Sequence, residues 1–411
     1  MGSRKNGMGI VIAAIVAICA FALTFGIASA ATLVVNQTDP PCATGDAYYA
    51  TIYEAITAAA DGDTIIVCDG TYTENVVVNK RLTIRSKYGA AYTTVRAASD
   101  SDHVFYVTAD YVNISGFTVI GTDSIDIAGI YLDNVNNCNM TENNVSNNWW
   151  WGMELNYSSN NNLISNIASN NGIGIAMGSS SNNSLTGNTA NSNNKIGIFL
   201  GESSYNNLTN NNASLTDQSG IYLYYSSYNN LISNTANSNG EGDGGIVLDS
   251  SSNNNLTGNT ASNNGYGIGL VGSIYNNLTG NAANSNINFG FYLEGSTNNN
   301  IYNNYLNNNN NAWDDGINIW NISKTSGINI VDGPNLGGNY WSDYEGTDDD
   351  ADGLGDTPYS IPGDGGSQDN LPLVWPMGPP PIPELPTVLL LSTGLLTLAG
   401  YVWWGKKNNN Q

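Results

Sequence analysis

The chain has little positive charge. Its 411 residues hold 11 Lys and Arg, one His and 34 Asp and Glu, for a formal net charge of -23. Between residues 100 and 330 the basic side chains are Lys195, Lys324 and His103. Nucleic acid is therefore excluded as a partner, because neutralising phosphates takes clustered Lys and Arg. Lyase chemistry on acidic glycans is disfavoured too, since it needs a lysine- or arginine-type base beside bound calcium. The middle of the chain also lacks apolar spacing at 3.6 residues, which excludes a helical repeat.

What is there is a phrase repeated nine times at about 23 residues. One half reads Gly-apolar-x-apolar, from Gly129-Ile130-x-Leu132 to Gly316-Ile317-x-Ile319. The other is Asn-Asn-apolar-x-x-Asn, centred on Met140, Leu163, Leu185, Leu208, Leu231, Leu256, Leu278 and Ile301. Successive centres lie 23, 22, 23, 23, 25, 22 and 23 residues apart. A fixed period in this range marks a solenoid, in which each unit buries its apolar side against its neighbours. Apolar and polar residues alternate over three to five positions, the strand period. Three short strands and their turns fill one such unit. The expected fold is therefore all-β, a single-stranded right-handed parallel β-helix rising roughly 4.8 Å per coil. Three residues after each centre stands an Asn, Asn143 through Asn304, and these predict a buried amide ladder. Disorder would not keep this register. The repeated Gly implies either a left-handed backbone or close approach to the next coil.

The two ends have different compositions. Residues 1–30 read as a secretory signal, with Arg4 and Lys5 before an apolar run and Ala28-Ser29-Ala30 as cleavage site. Export permits a disulfide between Cys42 and Cys68, with Cys138 a buried apolar thiol. Residues 377–386 form a Pro-rich spacer. Residues 387–411 hold an apolar run of 18 residues ending in Lys406-Lys407, long enough to span a bilayer. With Pro383-Glu384-Leu385-Pro386 before it, this tail resembles the PEF-type sorting signals of archaeal surface proteins, although Leu stands where that motif has Phe. The resemblance implies an exported body anchored to the membrane through the C-terminus. Asn-x-Ser/Thr acceptors include Asn36, Asn113 and Asn321, expected to carry glycan in part.

Residues 31–100 predict a capping helix over Ile52–Ala60 and the first coils, and 101–334 the regular coils. The phrase Ala55-Ile56 … Gly62-Asp63-Thr64-Ile65 … Gly70-Thr71-Tyr72 resembles the entry to pectate-lyase-like β-helices. Residues 335–376, with Gly337-Gly338-Asn339-Tyr340-Trp341-Ser342-Asp343-Tyr344 and Thr357-Pro358-Tyr359, resemble the C-terminal end of NosD-like proteins. That family's label, periplasmic copper-binding, implies copper. The residues argue against it, because soft copper sites draw on Cys, Met and His.

Asp348-x-Asp350-x-Asp352-Gly353-x-Gly355-Asp356 spaces its carboxylates like the first part of a calcium loop, with Asp348, Asp350, Asp352 and Asp356 as ligands. A structural calcium is expected there. Tyr205, Tyr228 and Tyr275 share one column, three residues before the apolar centre. Exposed rings there would stack on sugars. Carboxylates that could serve a glycoside hydrolase, such as Asp126, Asp133, Glu154, Asp249 and the pair Asp314-Asp315, form no column. No catalytic residue is assigned. The function expected is a surface-anchored β-helix glycoprotein for carbohydrate binding, adhesion or envelope structure. A polysaccharide lyase or glycoside hydrolase is the alternative.

Overall fold

The computed structural model describes residues 29–375, apart from 39, 241 and 243. The segments read as signal, spacer and membrane tail lie outside the described residues. Among the described residues no helix is long and apolar enough to cross a membrane.

One coil shows how the sequence builds the stack. Ile173–Gly178 is a strand, Ser184–Thr186 a shorter one, and Thr189 makes a single parallel bridge to each neighbouring coil. Repetition gives a parallel solenoid with an 11-stranded sheet of long strands and a 13-stranded sheet of short ones. The third side is a four-stranded and a three-stranded sheet joined by single bridges from Asn144 to Ala282. Inward Ile, Leu, Val and Ala form one continuous core from Leu33 to Ile361.

The same coil turns at four left-handed corners: Ser179, Asn182, Gly187 and Ser192, with φ from 47° to 64°. Each corner precedes a buried polar side chain: Ser180, Asn183, Asn188 and Asn193. These are the rungs of four ladders. Asn188 Oδ1 accepts the Asn166 amide N–H at 3.0 Å, and its Nδ2 donates to the Leu163 carbonyl at 2.9 Å and to Asn211 Oδ1 at 3.0 Å. Asn183 likewise accepts the Asn161 N–H at 2.8 Å, and Asn193 the Asn171 N–H at 2.9 Å. Ser180 Oγ accepts the Ser158 N–H at 2.9 Å. A tight corner leaves peptide groups without a strand partner. The rung supplies one from the next coil, which is why short polar residues sit in the core. The sequence pattern predicted one of these ladders; the other three were missed.

The repeated glycines serve close approach. A Cβ on Gly174 would sit 2.6 Å from Asn193 Nδ2 and 2.7 Å from the Gly197 carbonyl, and the backbone there is not left-handed.

Both ends are closed. Helix α1 (Ile52–Ala58) buries Ile52, Ala55 and Ile56 against the first coils. Thr51 caps it, its hydroxyl accepting the Glu54 N–H at 3.1 Å. Lys80 Nζ donates to the carbonyls of Ile56, Thr57 and Ala59 at its C-terminal end. At the other end Asn339 continues the Asn188 ladder, bonding Asn304 at 2.9 Å. Trp341 lies on the last layer of core beside Trp320, at 5.5 Å between ring centroids. Buried Asp369 accepts Trp341 Nε1 at 2.8 Å and the Asn339 N–H at 2.7 Å. The Gly-Asn-Tyr-Trp phrase thus terminates the solenoid.

Candidate functional site

The corner tyrosines are in an unusual backbone state. Tyr205, Tyr228 and Tyr275 have φ of 61°, 59° and 59°. Asn137, Asn160, Asn182, Asn253 and Asn298 fill the same corner in other coils. Left-handed φ suits Asn and is unfavourable for a bulky residue. The rings stay half exposed. Tyr205 and Tyr228 stack at 5.0 Å, nearly parallel, so each covers one face of the other. Tyr275 stands two coils further on, beyond Asn253. Tyr224 and Tyr225 contact edge to face at 4.4 Å, and Tyr225 is also left-handed, at 47°. Within two coils the surface therefore shows four exposed tyrosines.

The structure brings Asp348, Asp350 and Asp352 together, with one carboxylate oxygen of each within 4.8 Å of the others. Asp348 accepts the N–H groups of Asp352 and Gly353 at 3.0 and 2.8 Å. Asp352 also pairs with Lys324. Asp356 is turned to the Asp349 N–H at 2.7 Å and is not in the cluster.

A further cluster forms where the sequence showed no pattern. His103 stacks on Tyr131 at 4.2 Å, and Tyr106 lies 5.6 Å from Tyr131. The Tyr106 hydroxyl donates to Asp133 at 2.8 Å, and Asn156 Nδ2 donates to the Tyr131 hydroxyl at 3.0 Å. His103 Nδ1 accepts the Ala128 N–H at 3.0 Å, so in the neutral ring Nε2 carries the proton. Burial pushes the His103 pKa down. Glu154 pairs in register with Tyr131. Burial, with Asp126 and Asp133 nearby, pushes its carboxyl up to about 7. The signal was present, but strand pairing was needed to see it: residues 103, 131 and 154 are one coil apart.

Asp314 is buried and accepts Trp320 Nε1 at 2.8 Å, a structural duty. Cys42 and Cys68 form a disulfide with S–S 2.05 Å. Asn36, Asn113 and Asn321 are partly exposed.

The soft donors do not fit copper. Among the described residues Met140, Met153 and Met177 are buried in the core, two of three cysteines are oxidised, and His103 stands apart from them. Cys138 is buried and its thiol is pushed up to about 11 by desolvation. Copper wants converging soft ligands.

Over 105 residues the chain is 39% identical to a cell surface glycoprotein of Methanothermus fervidus, a stretch covering 25% of this chain and 16% of that relative. It spans about a sixth of that relative's length. The Dettilon tailspike protein gp208 is similar in structure, with TM-score 0.53 and 15% identity over 61% of this chain and 58% of that one. The A-module of mannuronan C-5 epimerase AlgE4 from Azotobacter vinelandii gives 0.50 and 15% over 65% and 88%. At such identities the likeness is one of fold. The family model described as periplasmic copper-binding protein (NosD) matches residues 56–243 and 212–346, and the chain belongs to that family.

Proposed function

We propose that this protein is an exported, surface-displayed β-helix that binds a carbohydrate of the cell envelope or its surroundings. The observation that carries the reading is the patch of exposed tyrosines at Tyr205, Tyr224, Tyr225 and Tyr228. Three of them hold a left-handed backbone where Asn or Ser serves the same corner elsewhere, so their rings are kept at a conformational cost. Tyrosine offers a flat apolar face with a polar tip, which suits sugar rings. The similarity to a cell surface glycoprotein supports the location. The sequence tail supports membrane anchoring, and partly exposed Asn36, Asn113 and Asn321 support glycosylation. A calcium at Asp348, Asp350 and Asp352 would be structural, with carboxylate oxygens as hard ligands.

The test is retention of the full chain on immobilised polysaccharides. A variant combining Tyr225→Ala and Tyr228→Ala should lose retention while keeping the parent's melting curve. Unchanged retention would overturn the assignment of the patch. One feature favours a second, hydrolytic reading: Glu154, with its raised pKa, stands near Asp133 and can act as an acid at neutral pH. Shortening of the polymer on incubation, abolished in Glu154→Gln, would establish that reading instead.

A further inference from the structure

The edge that leads into the long-strand sheet carries a feature the tyrosine patch does not use. In one coil two residues, Trp149 and Trp150, separate the buried rung Asn148 from the strand at Trp151. In the next coil Gly172 alone separates Asn171 from Ile173, and in the one after Asn194 and Lys195 separate Asn193 from Ile196. The added residue puts Trp149 outside the coil path, 58% exposed. Gly172 cannot be larger, because a Cβ there would lie 2.7 Å from the Trp150 carbonyl and 2.9 Å from that of Trp149. The neighbouring coil therefore offers no side chain at this position to cover the indole. Lys195 Nζ lies 3.9 Å over the Trp150 ring, and Trp151 meets Trp150 edge to face at 5.8 Å. Those contacts occupy Trp150. Among the described residues the Trp149 ring has no aromatic or cationic partner.

Beside Trp149 is a cavity of about 350 Å³, lined also by Asp123, Asn147, Asn170 and Asn194. The buried asparagines of this protein spend their amides on ladders. Asn147, Asn170 and Asn194 are exposed instead, and neither their side-chain amides nor the Asp123 carboxylate makes a hydrogen bond among the described residues. Asn147 and Asn170 stand at left-handed corners, with φ of 57° and 56°, directly before the rungs Asn148 and Asn171. The rung turns inward and the corner residue stays outside. This edge is not the tyrosine edge. Trp149 precedes the strand Trp151–Asn156, whereas Tyr205, Tyr225 and Tyr228 follow the strands Ile196–Gly201 and Ile221–Tyr224. The length of a long strand, roughly 20 Å at about 3.3 Å per residue, lies between the two.

We infer that this cavity is a subsite for a single neutral sugar ring, a chain end or a branch, with Trp149 as its platform. The inference rests on the carbohydrate-binding reading above and adds a second site and its ligand class. The indole covers the apolar C–H face of a pyranose. The Asp123 carboxylate accepts from hydroxyls, and the three amides both donate and accept, which suits a ligand with several hydroxyls. The volume is at the small end of ligand cavities, about 300–1,000 Å³, so it takes one ring rather than a length of polymer. Asp123 disfavours a uronate, and Lys195, next to Asn194 and held on Trp150, disfavours a cation.

The experiment titrates the full chain with the methyl glycosides of glucose, galactose, mannose and N-acetylglucosamine, with methyl glucuronide as the charged comparison, and reads binding by saturation-transfer NMR. At least one neutral glycoside should bind, with Kd on the order of 1 mM. Trp149→Ala should weaken that binding about tenfold. Asp123→Asn, which keeps size and shape, should do the same by removing a charged acceptor, and it serves as the test if Trp149→Ala folds poorly. The combined Tyr225→Ala, Tyr228→Ala variant should bind the glycoside as the parent does. Binding unchanged in both Trp149→Ala and Asp123→Asn overturns the subsite. So does a parent that binds no glycoside yet is retained on polysaccharide. A parent that neither binds a glycoside nor is retained overturns both the subsite and the general reading. Methyl glucuronide bound as tightly as the neutral glycoside overturns the ligand class.

Discussion

Replacing Asn211 by Ala tests the claim that amide ladders hold the corners. Asn211 is buried mid-stack. Its Nδ2 donates to the Leu185 carbonyl at 2.9 Å and to Asn234 Oδ1 at 3.0 Å. Its Oδ1 accepts Asn188 N–H and Nδ2, both at 3.0 Å. Truncation does not strand every partner. Asn188 Nδ2 still reaches the Leu163 carbonyl, and Asn234 Oδ1 still accepts the Asn211 N–H. The Asn188 N–H, outside the strands, loses the acceptor it has. An unsatisfied buried amide costs about 1–3 kcal/mol, and each further lost bond about 1 kcal/mol. The expected destabilisation is about 3 kcal/mol. Because coils contact only their neighbours, it should be local. Hydrogen exchange read by mass spectrometry should show lost protection centred on residues 185–234 and parent-like protection at α1 and the Trp341 cap. Asn207→Ala, on the exposed side of the next strand, should change stability by less than about 0.5 kcal/mol. A loss under about 1 kcal/mol for Asn211→Ala, or exchange raised evenly along the chain, would refute the reasoning.

Glu154 should make stability fall with rising pH. Its native pKa of about 7 exceeds the ordinary 4.5, so the folded state holds a proton that the unfolded chain releases across that window. The full shift would correspond to roughly 3.4 kcal/mol at 1.36 kcal/mol per unit. Partial exposure reduces this to on the order of 1 kcal/mol. Glu154→Gln should therefore match the parent near pH 4 in urea titrations and exceed it at pH 8; equal stability at both would contradict the assignment. Gly338→Ala should release the C-terminal cap, because its Cβ would occupy the space of the Asp369 carboxylate. Limited proteolysis after residue 306 should then be faster, and a parent-like digest would count against the cap. Combined Asp350→Asn and Asp352→Asn should lower the melting temperature only when calcium is present. Calcium at 100 times its dissociation constant should contribute about 2.7 kcal/mol in the parent, so a parent melt indifferent to chelator would remove calcium from the account.

The solenoid was legible because its signal is repeated. Nine copies of Gly-apolar-x-apolar fix strand period, register and coil length together. The ladder at Asn188 could be read from its column of Asn, but the equally unbroken run through Asn161, Asn183, Asn206 and Asn229 was taken only as part of the Asn-Asn-apolar phrase, because composition does not say which of two adjacent Asn columns points inward. The ladder through Asn193 was missed because Thr216 takes one rung, and the serine ladder because outward serines surround it. The Gly174 column was legible as glycine but not as to cause. Left-handed backbone and close approach give the same residue, and the distance to Asn193 decides for approach. Tyr205, Tyr228 and Tyr275 could be aligned from sequence, but not the stacking that covers one face of the first two. The cluster of His103, Tyr131 and Glu154 exists through pairing between coils, which no run of residues displays. Asp356 matched a ligand spacing but turns to Asp349 instead, since spacing alone does not say which way a carboxylate points.

The ladders also act as a gauge of where the chain tolerates inserted sequence. Rungs normally recur after 22 or 23 residues, as from Asn188 to Asn211 to Asn234. Thr216 to Asn239 is still 23, whereas Ile221 to Ile246 is 25. Two added residues therefore lie between Asn239 and Ile246, on the edge that leads into the long-strand sheet. Asn304 to Asn339 is one rung after 35 residues, so a dozen residues there leave the coil path and return without changing register. The stack can thus accept longer loops at these joints, or a whole added coil, without breaking the register of the rungs. Either change would reshape the outer surface while the inner rungs keep count.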